Sequence, residues 1–190
     1  MSRSVRIWIA LVWIVASGTP QASMVFTLAE LQGLLQAAPR LAVPFAELRE
    51  SPWLATPEES RGTLHSLPGV LEKRVEVPRP QTVRLRADRL EWVGPDGAAG
   101  RQILFSSAPA VGALANVLRH AVAGDLGALE QDFRIELQGS RQAWVATLWP
   151  LRSDAARHLD SLRIEGSGGK LRAITLLERN GARTTTHILH

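Results

Sequence analysis

Few residue pairs in this chain have the types and spacing of a reactive site. Ser167 and Lys170 match the spacing of a serine–lysine acylating pair, in which the lysine assists attack by the serine hydroxyl. That pair requires the serine to begin a helix, whereas Ser167 lies in a glycine turn between two predicted strands. His187 and His190 are three residues apart on a predicted strand, which points their rings to opposite faces and disfavours a shared metal ion.

The other histidines do not suggest a site either. His65, His120 and His158 fall in separate predicted elements, and we interpret them as partly exposed surface residues. The sequence contains no nucleophile elbow, phosphate loop or HExxH motif. We therefore expect a protein that is not an enzyme, with no catalytic residue, no metal and no cofactor. The scattered carboxylates leave an enzyme acting on a lipid or glycan open as an alternative.

Most of the chain has the pattern of short antiparallel strands. Residues 81–87 alternate, with apolar side chains on one face and arginines on the other. Residues 53–60 are predicted to form a loop before a strand over 62–67, and Asn180-Gly181 is the strongest hairpin signal. About ten such strands predict one meandering sheet that curls, in an α+β fold that is mainly β.

The first predicted element is an amphipathic helix. Thr27 is its expected N-cap, and Glu30 at the third helical position completes a capping box. Leucines recur at three- and four-residue spacing, and Pro39 ends the helix.

A second helical pattern follows the first run of strands. It begins at Pro109 and stops at Gly124, and Asp125 is the expected cap of a further short helix. One face of the long helix is an apolar stripe. Its members include Val111, Leu114 and Leu118. The stripe fits either ordinary core packing or a lid over the hollow of the curled sheet.

Composition narrows the classes of function. The chain has 190 residues, a formal net charge of +4 and no cysteine. Two of the positive charges belong to an N-terminal leader, so the remainder carries +2, which gives little electrostatic reason to expect nucleic acid. Without cysteine, the fold depends on packing and backbone hydrogen bonds rather than on disulfides.

The N-terminus has the pattern of a secretory signal peptide. Arg3 and Arg6 precede an apolar run over residues 7–15, which gives way to small residues. The run is shorter than the roughly 20 residues that span a bilayer. We expect cleavage after Ala22 or Gly18, a leader over residues 1–22 and a single domain over 23–190. Since a lipid anchor requires cysteine, we expect a soluble periplasmic monomer that is not lipid-anchored.

Several stretches, taken in order, resemble a known family. They are FAELRES at 45–51, RGTL at 61–64, PGVL at 68–71, WVATLWPL at 144–151, LRI at 162–164 and NGART at 180–184. This succession resembles the LolA-like family of periplasmic outer-membrane lipoprotein carriers, and it is most similar to a divergent LolA-related branch. The resemblance implies an unclosed, strongly curved antiparallel β-barrel with a helical lid over an apolar cavity that accepts acyl chains.

One position departs from the family's pattern. Carriers of the main branch have an arginine before the proline of the second strand region, which latches the lid. Alignment on Pro68 places Leu67 there, with Arg49 or Arg61 as possible substitutes. The resemblance therefore implies a lid held by apolar contacts.

The function that this pattern favours is a periplasmic carrier or chaperone. It would bind the acyl chains of lipoproteins, or another lipid-like cargo, and pass them from an inner-membrane donor protein to an outer-membrane acceptor protein. An acyl chain in water costs about 0.8 kcal/mol per exposed CH₂, so crossing an aqueous compartment requires a dry container. The alternative is a non-catalytic periplasmic accessory subunit that docks to a membrane lipid exporter, which predicts a filled sheet interior.

The predicted lipid-binding residues are large apolar side chains with the strand parity, or the helix face, that points inward. They are Phe45, Leu85, Trp92, Phe105, Val111, Leu114, Leu118, Trp144 and Leu148.

Overall fold

The computed structural model describes residues 26–37, 42–94 and 97–190. The predicted signal peptide and Pro39 lie outside these ranges. In the described residues the strands are β1 (Ala42–Glu50), β2 (Glu58–Leu67), β3 (Val70–Val77), β4 (Gln81–Leu85), β5 (Arg89–Val93), β6 (Ala99–Leu104), β7 (Phe133–Ser140), β8 (Ala143–Pro150), β9 (Leu159–Ser167), β10 (Lys170–Glu178) and β11 (Arg183–Ile188). The helices are α1 (Leu28–Gln36), α2 (Pro109–Ala123), a 3₁₀ helix (Gly127–Gln131) and α3 (Ser153–Ala156).

All eleven described strands form one antiparallel sheet. Its order is β6-β5-β4-β3-β2-β1-β11-β10-β9-β8-β7. The first and last strands therefore pair at its centre, with Phe45 opposite Ile188 and Glu47 opposite Thr186. The edges are β6 and β7, which are consecutive along the chain and are joined by α2 and the 3₁₀ helix. The sheet is curled and not closed, so the predicted mainly β fold with an unclosed barrel is confirmed.

The helix signals in the sequence are confirmed in part. Thr27 caps α1, its hydroxyl accepting from the Glu30 amide at 3.3 Å while the Glu30 carboxylate accepts from the Thr27 amide at 2.9 Å. Gly124 ends α2 with φ 77°, in the left-handed region that favours glycine. Leu126 is the residue immediately before the 3₁₀ helix, but the side chain of the predicted cap Asp125 does accept from the Ala128 amide in its first turn, at 3.4 Å.

Strand β2 is longer than the sequence predicts. It begins at Glu58, whereas residues 53–60 were expected to be a loop and the strand was expected to begin at residue 62. The added residues are charged and mostly exposed, so they lack the apolar alternation that marks a strand. They join the sheet because they pair with the end of β1, where Arg49 lies opposite Glu58.

The sheet's inner face, which carries α2, is filled at one half. Beneath the helices, β8, β9 and β10 contribute fully buried apolar side chains; these include Trp144, Ala146, Leu148, Leu162, Ile164 and Ile174. The Trp144 ring lies over Gly166, where a Cβ would come within 2.1 Å of Cζ2, and its Nε1 donates to the Gly168 carbonyl oxygen at 2.9 Å. This half is a packed core.

The outer face of β3, β4 and β5 carries interleaved ion pairs. Glu91 is buried and accepts hydrogen bonds from Arg86 and Arg89, and these bonds lower the pKa of its carboxyl. Burial raises the pKa of the Glu72 carboxyl, but hydrogen bonds from Arg84 and Arg74 outweigh burial, so its pKa is also lowered. The mixed-sign face that the sequence predicts is therefore a network in which arginines cover acids.

Candidate functional site

Helix α2 lies across the inner face of the sheet. It packs against β2, β3, β4 and β5 on one side and against β9 and β10 on the other, and its ends contact α3 and the 3₁₀ helix. Leu118 and Ala115 on its inner face are buried, while Val111 near its start is 39% exposed. The helix thus covers the packed half of the sheet and also the other half, where the packing is incomplete.

A cavity of about 700 Å³ lies between α2 and strands β1 to β5. Its apolar wall consists of Val75, Val83, Leu85, Leu90, Val111, Leu114, Ala115 and Leu118. Its polar wall consists of Glu47, Arg49, Glu58, Glu59, Ser60, Lys73, Arg79 and Gln81, with Pro78 beside them. The volume is within the range of about 300–1,000 Å³ that is typical of small-molecule sites.

The wall of the cavity formed by β3 and β4 is polar and exposed at one end of these paired strands and apolar and buried at the other. At one end Val75 pairs with the exposed Gln81. At the other end Leu71 pairs with Leu85, and both are buried. The exposed charged residues lie at the first end, so the mouth of the cavity is charged and its interior is apolar.

An ion pair lies on the cavity wall between these two ends. Lys73 Nζ is 2.6 Å from Glu47 Oε1, and the Thr186 hydroxyl donates to Glu47 Oε2 at 2.7 Å. The ammonium group is also 4.9 Å from the centre of the Phe45 ring. The Glu47 and Lys73 side chains are only 17% and 18% exposed, so the pair is largely shielded from water.

Gly62 on β2 lies between the two strands that carry this ion pair. Glu47 is on β1 and Lys73 on β3, so their side chains must cross β2, at the point where Gly62 lies beside Phe45 and Val75. A Cβ at Gly62 would lie 1.8 Å from the Arg74 carbonyl oxygen. The close approach of the β3 backbone therefore excludes a side chain at residue 62.

A second cavity of about 450 Å³ lies between the two edges of the sheet, beside the first half of α2. Phe105 and Gly112 line it on one side, and Asp132 and the pair Arg152–Asp154 line it on the other. Hydrogen bonds from Arg152 and from the Ala155 amide lower the pKa of Asp154 to about 2. This cavity is smaller and carries charged groups along one wall.

A polar cluster joins the end of α2 to the segment that follows it. Arg119 donates to Asn116 Oδ1 at 2.9 Å, and Asn116 donates to Asp132 at 3.3 Å. His120 lies 3.5 Å from Asp125, yet its pKa is lowered, because burial and the neighbouring Arg119 oppose protonation. These contacts hold the helix to the start of β7.

Of the nine predicted lipid-binding residues, five line a cavity, one is partly buried against the core, and three are buried within the core. Leu85, Val111, Leu114 and Leu118 line the larger cavity, and Phe105 lines the smaller one. Trp92 faces inward, opposite Val83, and is partly buried against the core. Phe45, Trp144 and Leu148 are buried in the core and line neither cavity. A role in binding for these residues stays a prediction.

Sequence reasoning did not select the polar wall. Glu47 and Lys73 are not among the predicted binding residues, because the prediction selects large apolar side chains and passes over charged ones. Glu47 nevertheless has the same strand parity as Phe45. Val83 and Leu90 also line the cavity; Val83 has the same parity as Leu85, and this was the available signal.

The position aligned with the family's latch arginine lies away from the cavity. Leu67 ends β2, pairs with Val70 and is 47% exposed. Leu64 on the same strand is buried on the inner face, so the alternation of a strand places Leu67 on the outer face. Of the two possible substitutes, Arg49 lines the cavity.

The Ser167–Lys170 and His187–His190 pairs do not form a recognisable reactive site in the described residues. Ser167 and Lys170 face each other as the closing pair of the β9–β10 turn, and His190 contacts the Leu171 carbonyl oxygen at 2.7 Å. Across the described ranges, no group of three histidine, aspartate or glutamate side chains is arranged to hold a metal ion. Within those same ranges, no helix has both the length and the apolar character needed to cross a membrane.

Comparison with known proteins identifies the family. A family model described as outer membrane lipoprotein carrier protein LolA-like matches residues 19–189. The chain belongs to this LolA-like family. The resemblance seen in the sequence is thereby confirmed, and the family is one of carrier proteins. No curated protein sequence matches the chain.

Three solved structures are among those to which the chain is similar. A LolA superfamily protein from Nitrosomonas europaea has 10% identity and a TM-score of 0.45, over 86% of this chain and 90% of that one. The crystal structure of MucB has 16% identity and a TM-score of 0.43, and the match covers 84% of this chain and 56% of the MucB chain. The MucA/MucB complex of Pseudomonas aeruginosa has 14% identity and a TM-score of 0.40, over 85% and 53%. This LolA-like chain thus spans little more than half the length of the MucB chains.

Proposed function

We propose that this LolA-like protein is a soluble periplasmic carrier that holds the acyl chain of a lipoprotein, or of a similar lipid-like cargo, in the cavity beneath α2. It receives the cargo from an inner-membrane donor protein and delivers it to an outer-membrane acceptor protein. The carrier performs no chemistry on the cargo. Its precursor carries a signal peptide over residues 1–22, and the domain over 23–190 acts as a monomer.

The observation that carries this proposal is the unfilled half of the inner face. Apolar side chains from both the sheet and α2 surround a space of about 700 Å³, and Leu85 and Leu118 on its wall are almost fully buried. A docking subunit without cargo would be expected to fill this space with its own side chains. A binding protein needs the space, since an acyl chain gains free energy from leaving water only where a dry volume exists.

The charged mouth supports carriage rather than permanent storage. An acyl chain with a polar head would place its tail beside Leu85 and Leu90, the first oxygen atoms of its head at the level of Lys73, and the outer part of a larger head near Arg49 and Arg79. The head then stays in contact with water and with the next acceptor. A carrier must release its cargo, so this orientation suits transfer from one protein to another.

The test is to purify the protein from the periplasm of a bacterium that has an outer membrane. Bound lipid is extracted and identified by mass spectrometry, and the delipidated protein is titrated with a fluorescent fatty acid. We expect copurifying acyl lipid and saturable binding at one site per molecule. Absence of both lipid and saturable probe binding would rule the carrier function out.

A further inference from the structure

We propose that Lys73 selects cargo by an oxygen atom at the head of the acyl chain. In this interpretation the Lys73 ammonium group donates a hydrogen bond to a carboxylate or ester carbonyl oxygen, while the hydrocarbon tail extends toward Leu85 and Leu90. The inference rests on the proposed carrier function and deepens it by naming the chemical class of the cargo.

Lys73 lies where the cavity wall changes from polar to apolar. Lys73 lines the cavity and pairs across the sheet with Val83, midway between the exposed mouth at Gln81 and the buried wall at Leu85. An amphiphile that enters tail first would bring its head to this level. Lys73 is therefore placed where the polarity of the cavity and the polarity of such a ligand both change.

The Lys73 ammonium group has hydrogen-bond donors that the described residues do not use. An ammonium group has three N–H donors and no acceptor. One donor of Lys73 is used by Glu47, and the Phe45 ring covers another side of the group. Among the residues that the structure describes, no other atom accepts a hydrogen bond from Lys73. The ammonium group thus retains donors that an oxygen of the ligand can satisfy.

Both oxygens of the Glu47 carboxylate already accept a hydrogen bond. One of its oxygens accepts from Lys73 at 2.6 Å and the other from the Thr186 hydroxyl at 2.7 Å. A ligand with a donating or cationic head would meet an acid that is already paired and an ammonium of like charge. At the level of Lys73 the cavity is accordingly matched to heads that accept hydrogen bonds.

Charge determines which acceptor gains most. A carboxylate is attracted by the Lys73 ammonium, but the negative charge of Glu47 lies only 2.6 Å from that ammonium and opposes the attraction. An ester carbonyl gains less from Lys73 and is not repelled by Glu47. Changing Lys73 and changing Glu47 should therefore have opposite effects on binding of a carboxylate, and this opposition is the basis of the experiment.

The experiment compares three fluorescent ligands on the delipidated protein that is released from the periplasm. They are cis-parinaric acid, its methyl ester, and 1-N-phenylnaphthylamine, which contains no oxygen. We expect Lys73→Met to weaken binding of the acid about tenfold or more, which is typical for loss of a charge-assisted hydrogen bond. Binding of phenylnaphthylamine should stay within about twofold, since this substitution keeps the apolar volume. Loss for the acid alone identifies a carboxylate head; equal loss for the acid and the ester identifies a carbonyl oxygen.

Glu47→Gln provides the opposite test. The amide oxygen can still accept from Lys73, and the amide NH₂ can donate to the Thr186 hydroxyl oxygen, so the fold has no reason to change, while the negative charge beside the ammonium is removed. We expect tighter binding of the acid by about threefold or more, with phenylnaphthylamine unchanged. This variant also tests the proposal if Lys73→Met fails to fold.

Arg74→Met is the matched control. Arg74 is the next residue on β3, lies on the outer face and is paired with Glu72 at 2.7 Å. It should alter thermal stability without altering binding of any of the three ligands. A Lys73→Met variant that weakens all three ligands equally, or none of them, would mean that the Glu47–Lys73 pair only braces β1 against β3. Failure of the unaltered protein to bind any ligand would instead refute the carrier function itself.

Discussion

Phe105 lies directly against Gly112, and this contact fixes the start of α2 on the end of β6. A Cβ at Gly112 would be 2.7 Å from the Phe105 Cβ, an atom attached to the backbone that has little freedom to move away. Both residues line the smaller cavity, at the seam between the two sheet edges. The position of the helix over the cavity therefore depends on the absence of a side chain at residue 112.

Gly112→Ala should destabilise the protein, even though alanine is ordinarily the better helix former. We expect a loss of about 1–3 kcal/mol, because the added methyl group must displace either Phe105 or α2. Denaturant unfolding followed by tryptophan fluorescence measures this loss. Gly33→Ala in α1 is the control: no atom lies within 4 Å of its Cβ position, so we expect a gain of about 0.5–1 kcal/mol. Equal effects at the two positions would contradict the contact.

Val111→Trp should obstruct the larger cavity without damaging the fold. Val111 lines that cavity and is 39% exposed, so a larger side chain has room to occupy part of it. We expect fatty-acid probe binding to weaken about tenfold, and the free energy of unfolding to change by no more than about 0.5 kcal/mol. Leu67→Trp, at another exposed apolar position but on the outer face, should leave binding unchanged. If both variants bind like the unaltered protein, the ligand does not occupy this cavity.

The ion pairs on the outer face should make stability depend on acid pH. The pKa of Glu91 is lowered from its ordinary 4.5 by Arg86 and Arg89, so its contribution to stability is complete above pH 4.5 and is lost as the pH falls through the lowered value. Glu91→Gln should therefore be less stable than the unaltered protein at pH 7, with the difference shrinking below pH 4.5. Urea unfolding across this range measures it. Glu76→Gln, at an exposed position on β3, is the control; a pH-independent difference for Glu91→Gln would refute the assignment.

The leader makes a prediction about the exported protein. When the whole chain is produced in a bacterium with an outer membrane, we expect osmotic shock to release a shortened form. Its intact mass should correspond to a start at Ser23 or at Thr19, after cleavage at Ala22 or Gly18. A released protein that keeps residues 1–18 would show that the leader is retained.

Local sequence signals predicted the elements well where one short stretch contains the whole cause. The Thr27–Glu30 capping box is such a case, and so is Gly124, since each depends on residues within a single turn of helix. The alternation of residues 81–87 also gave the correct inner and outer faces of β4. The unclosed curl followed from the number and spacing of the strands together with the family resemblance.

The candidate site was harder to predict because it depends on contacts between distant residues. Lys73 and Glu47 are 26 residues apart, and only the pairing of β1, β2 and β3 brings them together. Size and strand parity selected Trp144 and Leu148 as well as Leu85, although the first two are covered by other side chains and Leu85 borders open space. Strand parity identifies the inner face but does not show which part of that face remains unfilled.

The connection of both sheet edges through α2 limits the ways in which the cavity can open. Only residues 105–108 separate the end of β6 from the start of α2, and a chain of that length spans at most about 18 Å when fully extended. The other end of the helix is connected to β7 through the 3₁₀ helix, and the middle of the helix is held to the residue before β7 by the Asn116–Asp132 hydrogen bond. Because both ends of the helix are connected to the sheet, it can tilt or slide over the cavity but cannot rotate away from it about one end. In the proposed carrier, cargo therefore enters and leaves through a gap at the side of the helix, and the width of that gap sets an upper limit on the size of the head group.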